Sequence, residues 1–429
     1  MNTTEFFGVA RAARGRLLIA ICALPLALTM FGCSAAQPDP SSKDHFVSRA
    51  VAQQQGQVTV RLAVLSDDES QRYFGAGLAD EGIQPVWMSI ENSSDTTLYY
   101  LPVTTDPDYF SYPEVAQIVR RSWSRTANAA TDAVLAREAM PDIVVSHQTA
   151  SGFVFTHREG GLKFLSVGLV GGGQEIDFRF IVPLGGRSYA VEKVDFGNLY
   201  PPGAIEAVDL AELRARLEAL PCCTVDKSGT KTGDPLNLVV VGKDADAIFP
   251  FIARGWRLDE PLDIHSMLRS VRAFLFGADY LTAPLSPLYL FGRTQDVSLQ
   301  KARHKISLRN HLRLWQAPFT IDGQHVWVGQ ISRDIGIKLT TQSWYLTTHR
   351  ISPEVDQDRY YLLQDLVMTN EVSQFGFVRG VGASDAVNPR RNLTGDPYVT
   401  DGLRLVVFLD QQRQLTGTIQ FLGWERPAF

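Results

Sequence analysis

The chain has 429 residues, of which 45% are hydrophobic and 20% charged. Those are the proportions of an ordinary globular protein, long enough for two separate cores. A net charge of -5 and a pI near 5.9 exclude a general nucleic-acid binder carrying a basic face.

At the N-terminus, Arg11, Arg14 and Arg16 precede an uncharged apolar run from Leu17 to Gly32, which ends at Cys33. A basic segment, an apolar segment and a small residue before a cleavage point predict a secretory signal over residues 1–32. The run, about sixteen residues, is short for an ~30 Å hydrocarbon core. Gly32-Cys33 resembles the lipobox of bacterial lipoproteins, in which the cysteine is lipidated and becomes the mature N-terminus. That resemblance makes Cys33 the expected lipidation site and a lipid anchor the expected attachment to a membrane. An uncleaved anchor and an ordinary signal peptide are the competing readings. All three place the rest of the chain outside the cytoplasm, in the envelope, facing the periplasm or the cell exterior.

Residues 33–56 carry Pro38, Pro40 and three consecutive glutamines, a composition that predicts a flexible tether. A first, β-rich domain is expected over residues 57–225. Val58, Val60, Leu62 and Val64 alternate with Thr59, Arg61 and Ala63, as in a half-buried strand. Helical spacing appears near Asp67–Leu78, in Pro113–Ser122 and in Ala127–Met140, and strand patterns return from Gly152 to about Leu184. Together these predict a β-sandwich decorated with helices. His147 and His157 fall at strand ends, where surface histidines need no special role, and Gly171-Gly172-Gly173 reads as a turn between strands.

Leu210–Leu220 is helical in pattern and is followed by Cys222 and Cys223. With Cys22 in the signal and Cys33 lipidated, these two are the remaining pair. In an oxidising compartment a disulfide between adjacent residues and two buried thiols are both open. The polar stretch 226–234 predicts a linker.

The second domain, expected over residues 235–429, opens with the apolar strand Leu236–Val241. Helices are expected over Lys243–Arg254 and from an Asp263 N-cap. The stretch Ser286–Trp315 holds six Lys or Arg (Arg293, Lys301, Arg303, Lys305, Arg309, Arg313) beside one acid, Asp296. Alternation puts His311, Arg313 and Trp315 on one face and Leu312 and Leu314 on the other. Val326–Leu339 is a long strand with Gln330, Ser332 and Asp334 on one face; Tyr345, Thr347 and His349 share a face of the next. A helix capped by Ser352 follows. Strands dominate without βαβ alternation, which predicts an α+β domain with a mostly antiparallel sheet.

The segments GDPLNLVVVG (233–242), SPLYLFGRTQD (286–296), HLRLW (311–315), VWVGQISRDIGI (326–337) and THRISPEVDQDR (348–359) resemble, in order, the LssY C-terminal domain of bacterial envelope proteins. That family implies no settled activity. Relatives fuse the domain to membrane segments resembling lipid phosphatases, and those segments have no counterpart here.

The candidate ligand-binding residues are Arg293, Asp296, His311, Arg313, Asp334, His349 and Arg359. Guanidinium groups suit phosphate or carboxylate. The helical phase of Arg359 points it at the core, so it requires a carboxylate, with Asp296 and Asp334 as candidates. No metal motif of HExxH or CxxC type, no GxSxG elbow and no glycine-rich phosphate loop occurs, so no metal or cofactor is expected. The expectation is a non-catalytic envelope protein that binds an anionic ligand or an envelope partner protein. The alternative is a hydrolase of phosphate esters or envelope lipids with His311 or His349 as the acid–base group.

Overall fold

The structure, a computed structural model, describes residues 37–121, 124–186, 188–243, 247–261, 282–302, 308–339, 347–410 and 416–427, with backbone alone for 337–339 and 347–349. The signal, Cys33 and the helix expected from Asp263 lie outside the described residues. The fold is α+β, built largely of antiparallel sheets.

Eight strands form the first unit: β1 (Val51–Gln55), β2 (Val58–Val64), β3 (Ile83–Asn92), β4 (Leu98–Leu101), β5 (Ile143–Val144), β6 (Gln148–His157), β7 (Leu162–Gly171) and β8 (Gln174–Pro183). They make two antiparallel four-stranded sheets, in the orders β1-β2-β3-β6 and β5-β4-β7-β8. Val60, Leu62, Val86, Met88 and Ile90 of one sheet meet Leu165, Val167, Leu169, Phe178 and Phe180 of the other in one core. Alternation sends Ala63, Trp87, Phe153 and Phe155 to the opposite face of the first sheet. Helices α1 (Lys43–Val47), α2 (Asp67–Phe74), α4 (Tyr112–Ile118) and α5 (Arg125–Arg137) cover that face, while the short α3 (Pro102–Thr105) lies along β7. A capping box of Ser66 and Glu69 starts α2, and Gly75 in the left-handed conformation ends it. Gly172 and Gly173, with φ of 58° and 78°, make the two-residue turn between β7 and β8.

Residues 37–55, which read as a tether, are folded. Asp39 accepts from the backbone of Ser41 at a 3-10 turn, α1 puts Phe46 into the aromatic core, and β1 pairs with β2 throughout its length. The glutamines that suggest disorder have a structural use. Gln53 and Gln55, two apart on one face of β1, donate to the carbonyls of Arg179 (2.6 Å) and Asp177 (2.8 Å) on β8. Two sheet edges are thereby tied together by side chains instead of by a ladder.

The second unit uses β9 (Glu206–Ala207), β10 (Cys223–Val225), β11 (Thr232–Pro235), β12 (Leu238–Gly242), β13 (Arg257–Leu258), β14 (Tyr289–Leu290), β15 (Arg293–Thr294), β16 (Val297–Ala302), β17 (Arg309–Ile321), β18 (Gln324–Leu339), β19 (Thr347–Ile351), β20 (Val372–Arg379), β21 (Arg390–Arg391), β22 (Pro397–Tyr398), β23 (Leu403–Leu409) and β24 (Gln420–Leu422). Its main sheet runs β13-β16-β17-β18-β12-β23-β20-β24, with β9 beside β17 and β19 beside β18. Parallel pairs occur at β12–β23, β20–β24 and β9–β17; the other pairs of this sheet are antiparallel. One face packs Leu312, Leu314, Ile331 and Leu405 with helices α7 (Phe249–Ala253) and α8 (Val355–Val367). The other face packs Trp315, Val328, Val239 and Val406 with α6 (Leu210–Ala219). Glu354, not Ser352, occupies the N-cap of α8.

The chain passes from the first core to the second before the polar stretch 226–234. Tyr189 already belongs to the second unit's core, and so do Val208, Leu213 and Leu217. Residues 226–231 form the turn of the β10–β11 hairpin, in which the Asp226 side chain accepts from the backbones of Thr230 and Lys231, and 232–234 belong to β11. A turn and a linker share their Gly/Ser/Thr/Asp composition.

Candidate functional site: a buried polar row over three strands

Along β17 and β18 one face changes character. Reading from Trp315 toward the start of β17, the side chains become Arg313, His311 and Arg309. From Val328 along β18 they become Gln330, Ser332 and Asp334. Register sets Arg313 opposite both Gln330 and Ser298, and His311 opposite both Ser332 and Gln300. A period of two thus gathers eight polar side chains on one patch of three strands. The reverse face stays apolar through Leu299, Leu312, Leu314 and Ile331. All eight are buried: Arg309, His311 and Arg313 are 4%, 7% and 5% exposed, and Asp334 1%. Asp259 and Asp234 add two further buried carboxylates, from the loop after β13 and from β11.

Contacts within this row are uneven. Arg313 donates to Gln330 Oε1 (2.9 Å) and to the Ser286 carbonyl (3.1 Å), both neutral acceptors. Among the described residues, its Nε and the Nε2 of Gln330 are buried without a hydrogen-bond acceptor. Arg309 bonds Gln300 Oε1, and its Nε is 3.7 Å from Asp334 Oδ2. His311 Nε2 is 3.1 Å from the same Asp334 oxygen. Asp259 bonds Ser298 and accepts from the Leu285 backbone (3.1 Å), and Asp234 accepts from Asn392 (3.0 Å).

Burial dominates the electrostatics. Desolvation, reinforced by Arg309 and Arg313, pushes His311 well below the ordinary histidine value, so the ring is neutral at physiological pH. Desolvation also works against the charged forms of Arg309 and Arg313, which the surrounding aspartates only partly offset. Asp259 is pushed up to about 6 by burial, against its bond from Ser298. Asp234 is raised for the same reason. Among the described residues, Arg313 Nε and Gln330 Nε2 are buried donors that suit an oxyanion bringing its own acceptors.

Of the residues singled out in the sequence, His311, Arg313 and Asp334 come together here. Arg293 and Asp296 do not. They form a bidentate pair (2.8 and 2.9 Å), and the same guanidinium donates to Tyr200 Oη (3.0 Å) and the Gln316 carbonyl (2.8 Å). Nor does Arg359 join them. It is fully buried on α8, as its helical phase requires, but its carboxylates are Asp401 and Asp356 (2.9 and 3.0 Å), not Asp296 or Asp334. It also donates to the Leu403 carbonyl and lies over the rings of Tyr360 and Phe377. His349 pairs through its backbone with Ile337 on β18, and its side chain lies outside the description. Cys222 and Cys223 are joined in a disulfide, with Cys223 Sγ 3.6 Å from Tyr398 Oη. Beside it, the buried Arg404 has no carboxylate partner among the described residues and donates to the carbonyls of Leu217, Leu220, Pro221, Leu236 and Gly380. It thereby satisfies carbonyls at the end of α6.

Arg309, Gln330 and the two aspartates are not among the candidate ligand-binding residues read from the sequence. Arg309 was legible, because it continues the period-two row of His311 and Arg313. Asp234 and Asp259 were not, since long-range packing alone brings them in. Among the described residues no group of three or more His, Cys, Asp or Glu has the arrangement of a metal site.

These features define an α+β domain whose sheet carries a buried, arginine-rich polar row. Residues 217–403 match the family model described as LssY C-terminus, in agreement with the resemblance carried by the segments between 233 and 359. No curated protein matches the chain.

Proposed function

We propose that the second domain binds a small oxyanion, a phosphate or carboxylate group, through Arg309 and Arg313, and that lipid on Cys33 holds the protein at the envelope membrane. The observation that carries the binding reading is Arg313. Among the described residues it is a buried cation with two neutral acceptors, beside an amide donor of Gln330 that has none. A bound oxyanion accepts from both groups and adds negative charge directly against the guanidinium. Calorimetric titration of the Cys33→Ser chain with inorganic phosphate and with sulfate tests this. Saturable heat is expected, and it should be lost in Arg313→Met while the unfolding midpoint changes little. An equal response from wild type and variant contradicts the reading.

A second reading is favoured by the 3.1 Å approach of His311 to Asp334 next to two arginines. A neutral imidazole oriented by a carboxylate can move a proton to or from a bound ester. Hydrolysis of p-nitrophenyl phosphate that disappears in His311→Gln, with phosphate binding retained, selects the hydrolase. Binding without turnover selects the non-catalytic protein.

A further inference from the structure

We infer that the first domain lies directly on the lipid bilayer, with the helical layer of α2, α4 and α5 against the headgroups. This rests on the reading that Cys33 carries the anchor. The decisive quantity is the distance from Cys33 to the first residues held by the fold. Gln37 and Pro38 sit tightly against Gly75 at the end of α2, where an added Cβ would come within 2.6 Å of the Pro38 nitrogen. The Asp39 backbone then donates to the Arg72 carbonyl (3.0 Å). From Cys33 to Gln37 is four residue steps, which span at most about 14 Å however they are arranged. Half the difference between the full bilayer and its hydrocarbon core, roughly 5–8 Å, already belongs to headgroups. A domain fixed at residue 37 therefore cannot stand clear of the surface.

The side of the domain that meets the lipid follows from where Gly75 lies. Its carbonyl accepts from Arg121 Nη2, and the Phe74 carbonyl accepts from Thr131 Oγ1 (3.1 Å) on α5. The anchor point is thus surrounded by α4 and α5, on the outer face of the first sheet. Exposed there are Ile118 and Tyr112 on α4, with Arg120 and Arg125 beside them. The Arg120–Asp132 ion pair is solvent-exposed and weak enough to exchange for phosphate. Aliphatic, tyrosine and arginine side chains together fit an anionic lipid surface. Another exposed apolar pair, Tyr99 and Ile143, is directly cross-strand on the outer face of the second sheet. That face lies on the far side of the sandwich from the anchor point.

Fluorophores on Gln117→Cys and, separately, on Ile143→Cys would be compared in the full-length lipidated protein, reconstituted in phosphatidylglycerol vesicles carrying a headgroup quencher. The label at 117 should lose more of its emission than the label at 143. Adding Arg120→Glu and Arg125→Glu should reduce that loss. Equal quenching at both positions, or stronger quenching at 143, overturns the orientation while leaving the anchor intact. Intact mass of the purified protein reads the anchor separately. An unlipidated Cys33 overturns both readings.

Discussion

Arg359 and Arg313 are both buried arginines, yet they have opposite meanings. Arg359 sits between two carboxylates and a carbonyl, with two rings over its plane, and that is a structural clasp. Arg359→Ala leaves Asp356 and Asp401 without their counter-ion and should cost roughly 3–5 kcal/mol, read by denaturant unfolding. Combined with Asp356→Asn and Asp401→Asn, Arg359→Met should cost clearly less than it does alone, and the double-mutant cycle gives the coupling. Arg313 makes no ion pair among the described residues, and its truncation should alter ligand binding more than stability. Asp259 gives a pH prediction. Its folded value, about 6, lies above the ordinary carboxylate value, so the folded state holds the proton more tightly. Its contribution to stability is therefore full below about pH 4 and is lost as pH rises toward 6. His311 acts in the opposite sense. Its lowered value removes stability as pH falls below the ordinary histidine range. The two effects overlap, so the informative quantity is the difference between wild type and Asp259→Asn. Stability of the variant relative to wild type should increase from pH 4 to pH 6 and then level off. Sulfate, which does not titrate in this window, should bind wild type more tightly at pH 5 than at pH 7.

At the scale of elements, period two was the most informative signal in the sequence. It placed His311, Arg313 and Trp315 on one face of β17, and Gln330, Ser332 and Asp334 on one face of β18. The strands it identified as a face are the ones that build the polar row. Helix ends were less legible: α8 begins at Val355 with Glu354 as its cap, because Ser352 and Pro353 continue the extended chain. The sequence misled most at β1. Three exposed glutamines carry no hydrophobic signal, and only the register with β2 and the carbonyls of β8 show their use. Gln53→Ala with Gln55→Ala should loosen the seam between β1 and β8. Faster amide exchange in residues 51–55, with little change in β6 and β7, is the expected result; unchanged exchange would mean that the β1–β2 ladder suffices.

At the scale of the whole molecule, composition and alternation were enough for the α+β class and for a β-rich first unit. The passage from one core to the other was hidden, since the segment from Tyr189 to Cys223 belongs by packing to the second unit and nothing in its composition says so. Contacts between the units are polar as well as apolar. Arg179 of β8 bridges Asp177 and Glu371 (2.9 and 2.8 Å), and Phe164 meets Phe249 edge-on. Arg179, Glu371, Lys243 and Asp410 also line a cavity of about 110 Å³ at this junction, apart from the polar row. The proposed oxyanion site is the polar row itself, where a buried arginine and an amide stand beside a neutral His311 and Asp334. The most direct measurement is an anomalous difference map from crystals soaked in selenate. A selenium peak within hydrogen-bonding reach of Arg313 Nε and Gln330 Nε2, absent in Arg313→Met, is the expected result. A map with no peak at the row, while the side chains keep the contacts described above, would contradict the account.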